Sequence, residues 1–122
     1  MDGRKGSGGG LEVNQRKILE AAAKACRLSV LKTAHSKHGL MVAIDENSIV
    51  HTLWNPLTNP ADTAEMCAKL ALDTAWGVDD VIVMVPEEEA HEAQYKDHDN
   101  SRLKAWMFAA TMVAARIGGY KE

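Results

Sequence analysis

Residues 54–119 read WNPLTNPADTAEMCAKLALDTAWGVDDVIVMVPEEEAHEAQYKDHDNSRLKAWMFAATMVAARIGG, two capped helical patterns with strands between them. Asn59 offers a side-chain oxygen as a cap, Pro60 suits a first helical position, and Asp62 sets a carboxylate in the first turn. Met66, Cys67, Leu70 and Thr74 then recur at the 3.6-residue period, with Glu65, Lys69 and Asp73 on the opposite side. The spacing predicts a helix over 60–74 with one core face and one solvent face. Val81-Ile82-Val83-Met84-Val85 is apolar at every position, the pattern of a strand (80–85) central in its sheet and covered on both faces, and Pro86 ends it. Glu87, Glu88 and Glu89 read as a solvated turn into an outer strand, 90–96, with Ala93 and Tyr95 on one face and Glu92, Gln94 and Lys96 on the other.

Asp99-Asn100-Ser101 and Gly118-Gly119 bracket a last helix, 100–117. Leu103, Trp106, Met107, Ala110, Val113, Ala114 and Ile117 make one apolar stripe of it, and Ala105, Phe108, Ala109, Met112 and Ala115 make a second, leaving Thr111 the only polar residue between 105 and 115. A helix apolar all round needs cover all round. Eleven residues at 1.5 Å each reach about 16 Å, half a bilayer core, so the cover is protein. A buried core helix is the preferred reading, and a homo-oligomer contact through this helix is the other.

Upstream, Asn14 can cap a helix over 14–27, with Ile18, Leu19, Ala22, Ala23 and Cys26 on one face and Arg16, Lys17, Glu20 and Lys24 on the other. Strands are expected at 28–33, 40–44 and 49–54, joined by His35–Gly39 and by Asp45-Glu46-Asn47, breaks that favour antiparallel hairpins. The glycine-rich start, MDGRKGSGGG, has linker composition, so residues 1–12 are set apart from a single α+β domain at 13–122. It lacks the spacing of a phosphate-binding loop. The expected fold is an α/β sandwich: an antiparallel or mixed sheet of about five short strands packed with three helices.

At 122 residues, 46% hydrophobic and 25% charged, the chain matches an ordinary one-domain globular composition. A net charge of −3 implies no general grip on nucleic acid or an anionic membrane. No apolar run approaches the ~20 residues of a membrane span. Cys26 and Cys67 lie among alanines and leucines and read as small buried hydrophobes, which suits a reducing cytoplasm.

The region WNPLTNPADTAEMCAKL, the strands after it and the alanine-rich last helix together resemble the phage ABA sandwich domain. Trp54, Asn55 and Pro56 stand at the opening of that pattern, and Leu103 to Ile117 form its closing helix. The resemblance implies a three-layer α/β/α arrangement, a bacteriophage or prophage origin and a bacterial host cytoplasm. It implies no catalytic residue.

The chemistry-bearing residues are few. His35, His38 and His51 sit on neighbouring hairpin segments, yet residues three apart on a strand point to opposite faces and the spacing matches no zinc signature, so no metal is assigned. Asp97-His98-Asp99 pairs a carboxylate with an imidazole, but at a helix start capping explains it. No catalytic residue and no cofactor is assigned. The chain reads as a small accessory protein that binds a host or phage protein, with Trp54 and Trp76 as candidate anchors. The alternative is double-stranded RNA or other nucleic acid, because residues 14–73 run helix, strand, strand, strand, helix, and Lys32, His35, Lys37 and His38 make a basic loop. Against it, the helix that should meet phosphates begins with Asp62 and Glu65.

Overall fold

The computed structural model describes residues 12–31, 36–86 and 88–122. Among these residues, three helices and six strands follow in the order α1 (Val13–Ala25), β1 (Ser29–Val30), β2 (Leu40–Ala43), β3 (Thr52–Trp54), α2 (Pro60–Leu70), β4 (Asp73–Trp76), β5 (Asp80–Val85), β6 (Glu89–Gln94), a 3-10 turn (Tyr95–His98) and α3 (Arg102–Ile117). The fold is α+β. The strands form two antiparallel three-stranded sheets, β1-β2-β3 (sheet A) and β4-β5-β6 (sheet B), in place of the single five-stranded sheet expected within a three-layer sandwich. The cause is local: each strand pairs with its sequence neighbour, and α2 separates the two sets.

Helix α2 shows how far local signals reach. Asn59 Oδ1 accepts the Ala61 N–H at 3.0 Å, and Pro60 sits at the first position, as its sequence predicts. Asp62 Oδ2 accepts the Asn55 N–H at 2.9 Å, tying the helix start to the end of β3. The helix stops at Leu70 rather than 74, because Ala71 turns left-handed (φ 54°) and its N–H bonds back to Ala68. Asp73 and Thr74, expected to end the helix, instead open β4 (Asp73–Trp76). The first helix is capped by the Glu12 carboxylate, which accepts the Asn14 N–H at 2.9 Å, not by Asn14 itself. Helix α3 is capped by Ser101, whose Oγ accepts the Lys104 N–H at 3.1 Å.

The core lies around α3. This helix packs on α1, on α2 and on β5 and β6, and every residue from Ala109 to Ala115 is buried. Thr111 is buried with them and donates its hydroxyl proton to the Met107 carbonyl at 2.7 Å. Cover within the chain thus accounts for the apolar girth between Ala109 and Ala115, while Leu103 and Ile117 near the helix ends stay exposed. Leu19, Ala22, Ala23 and Cys26 of the α1 stripe are buried against it, and Val81, Val83 and Ala93 meet it from sheet B. Strand β5 is central, as expected, but its two faces differ: Val81 and Val83 are buried while Ile82 and Met84 stay half-buried. Inward residues of sheet A, Leu40, Val42 and Trp54, complete the core.

Candidate functional site

The side chain that combines large apolar area with access to solvent is Trp76. Strand β4 is the outer strand of sheet B, and its register sets Thr74 opposite Val83 and Trp76 opposite Val81. All four point to the face that carries α3. Because β4 is at the edge, the indole of Trp76 reaches past the flank of α3 and remains 52% exposed. Its inner side meets Trp106 of α3, ring centroids 6.4 Å apart and tilted by 37°. Trp106 is fixed in turn, its Nε1–H donating to Thr74 Oγ1 at 3.1 Å. Leu103, one turn earlier on α3, and Val78, in the turn after β4, are both exposed. The turn itself is held by the Gly77 N–H bonding to Asp80 and by the Tyr95 hydroxyl donating to the Gly77 carbonyl at 2.9 Å.

Trp54, the other sequence candidate, is 7% exposed and belongs to the core. It lines a cavity of about 220 Å³ beneath sheet A, with Cys26, Met66 and Lys69 among its walls. Lys37 and His38 are exposed in the turn before β2; Lys32 and His35 lie outside the described residues, so convergence of His35 with His38 and His51 falls outside them too. Among the described residues, no group of three or more His, Cys, Asp or Glu side chains is placed to hold a metal ion.

Groups able to do proton or thiol chemistry are dispersed. Burial pushes the Cys67 thiol up to about 11, with Cys26 adding to it, and burial raises Cys26 as well, so neither is a thiolate at neutral pH. Asp80 raises the Glu92 carboxyl through a shared hydrogen bond and its charge, but this pair stands on the open side of sheet B. Asp97 and His98 form part of the 3-10 turn rather than a helix start, and the His98 ring leans on Phe108 at 4.8 Å.

His91 of β6 meets the same phenylalanine edge-on at 5.5 Å. Burial holds this imidazole below its ordinary value, Arg116 and His98 lowering it further against Glu122. The unfolded chain therefore takes up this proton first as pH drops below about 6.5. The contribution of His91 to stability is present above that pH and declines as pH falls toward the lowered folded value. Urea unfolding followed across this range shows the decline, and the His91→Gln variant has a flatter profile there.

No helix among the described residues is long and apolar enough to cross a membrane. Compared with protein-family models, with curated proteins and with solved structures, the chain matches none. Sequence reasoning picked out Trp76 as a large aromatic between elements, but not its contact with Trp106, thirty residues further on and hydrogen-bonded to Thr74, which follows from the unforeseen strand β4.

Proposed function

We infer that the chain acts by binding another protein through a surface anchored on Trp76, and not by catalysis. The observation that carries this reading is the pair Trp76 and Trp106: a half-exposed indole backed by a second one that a hydrogen bond holds in place. Such an aromatic meets a partner with most of its rotamer freedom already lost, the arrangement from which interface hot spots are built. With it goes a proposed phage or prophage origin and action in the bacterial host cytoplasm. Their support is the Trp54-Asn55-Pro56 opening before α2 and the alanine-rich α3.

The test is retention of proteins from a bacterial lysate by the immobilised full chain and by its Trp76→Ala variant, at low and high salt and after nuclease treatment. A protein held by the wild type, resistant to nuclease, and held at least ~10-fold less by Trp76→Ala supports the reading. Circular dichroism should be unchanged by the substitution, since Trp76 lies at a sheet edge. Equal retention by both forms removes Trp76 as an anchor.

A second reading has its own observation: α1, β1, β2, β3 and α2 follow in the order of a double-stranded RNA-binding domain, with sheet A antiparallel throughout. Asp62 and Glu65 at the start of α2 weigh against phosphate contact. Retention of nucleic acid alone, lost at high salt, favours this alternative.

A further inference from the structure

Sheet B runs β4-β5-β6, so β4 and β6 each pair on one side only. The Gly77 N–H bonds to the Asp80 carbonyl, and from there the antiparallel register alternates: Asp73 and Ala75 exchange hydrogen bonds with β5, while the N–H and C=O groups of Thr74 and Trp76 point away from it. Those four groups have no partner among the described residues. At the opposite edge the Tyr95 N–H bonds to the Asp79 carbonyl, and the same alternation turns the main-chain groups of Ala90, Glu92 and Gln94 outward. There the Arg116 guanidinium donates to the Ala90 carbonyl at 3.1 Å, and Glu89 and Glu92 put charge along the strand. The β6 edge is guarded and the β4 edge is not, and an unguarded edge is a template for another strand.

We propose that β4 receives an extended segment of a partner protein as an added outer strand of sheet B, a segment in which apolar and basic residues alternate. This rests on Trp76 as the anchor of a protein partner and adds the form that the partner takes. Residues directly across a strand pair share a face, so side chains opposite Thr74 and Trp76 fall on the α3 side, where Trp76 and Leu103 are exposed. Apolar residues suit that side. The residues between them fall on the outer face, beside Asp73 and Ala75. Asp73, Asp80 and Glu92 all stand on that face, and β4, β5 and β6 contain no lysine or arginine. Asp80 and Glu92 already crowd one another, through a shared hydrogen bond and their charges, which holds the Glu92 carboxyl above its ordinary range. A lysine or arginine opposite Asp73 therefore meets an opposite charge, and a carboxylate there is repelled. Main-chain bonds to Thr74 and Trp76 supply affinity, and the alternating side chains supply the choice of segment.

The probe is the blocked peptide acetyl-Lys-Val-Lys-Val-Lys-Val-amide, with its glutamate-for-lysine counterpart as control, added to the full chain while amide hydrogen exchange is followed by NMR. With the peptide at ~10 times its Kd, exchange of the Thr74 and Trp76 N–H groups is expected to slow about 10-fold, and that of Glu92 and Gln94 to stay unchanged. The glutamate peptide binds at least ~10-fold more weakly, and Asp73→Lys reverses the preference. Asp73 is exposed on the edge strand, so this variant keeps the fold. No slowing at Thr74 and Trp76 up to ~1 mM peptide overturns the proposal. So does equal slowing at both edges, or slow exchange of the two amides that arises from self-association of the chain alone. Lysate capture lost in Trp76→Ala beside unchanged edge exchange keeps the anchor and removes the added strand; slowed edge exchange beside capture indifferent to Trp76→Ala does the reverse.

Discussion

Alanine at Gly118 is expected to lower stability by about 2–4 kcal/mol, the range for forcing atoms into a packed contact. Helix α3 is capped at its C-terminal end by Gly118, whose N–H bonds to the Ala114 carbonyl, and the backbone there lies directly on α1. A Cβ at this position overlaps the Ala21 carbonyl oxygen and sits 2.7 Å from its carbon. Neither atom belongs to a flexible side chain. Relief requires α3 to lift from α1, which opens the contact that buries Leu19, Ala22 and Ala110. For a chain of this size the melting temperature falls by roughly 10 °C. Thermal unfolding of Gly118→Ala beside Gly119→Ala checks the claim, since no atom stands within 4 Å of a Cβ at Gly119 and that variant meets only the strain of its φ of +98°.

A similar loss, about 2–4 kcal/mol, is expected for Gly39→Ala, by two mechanisms acting together. Gly39 has a φ of +146°, a conformation that side chains disfavour, and a Cβ there comes within 2.5 Å of the Trp54 carbonyl oxygen and 2.8 Å of Asn55 Cβ. The neighbourhood is over-determined. Asn55 Nδ2 donates to the His38 carbonyl at 3.0 Å, while the Asn55 backbone N–H is taken by Asp62. Displacing residues 54 and 55 therefore disturbs the turn before β2, the inward packing of Trp54 and the first turn of α2 at once. Urea unfolding should show a lower midpoint with an unchanged slope. A loss below about 1 kcal/mol means that the turn yields at low cost.

The features legible in sequence are those whose cause lies within a few residues. Asn59 and Pro60 mark the start of α2 and Ser101 that of α3 because a cap bonds two or three positions away. The apolar run at 81–85 reads as a central strand for an equally local reason. The end of α2 is different. Its left-handed residue is Ala71, not glycine, so no breaker is visible, and Thr74 continues the helical period while serving in β4. The division into two sheets is a statement about which strands do not pair, and short strands of two to four residues carry little pattern to decide it. Those two misreadings concealed the candidate site, because Trp76 meets Trp106 only when 73–76 is a strand on the α3 side of sheet B.

The central position of α3 bears on how the molecule is made. Both sheets and both earlier helices lie within residues 13–98, and the helix that packs on α1, α2 and sheet B follows all of them in the chain. Until Arg102–Ile117 emerges, Leu19, Val81 and Val83 lack the surface that buries them. The nascent chain therefore holds the apolar faces of α1 and sheet B uncovered until that segment emerges, and closes them in one step.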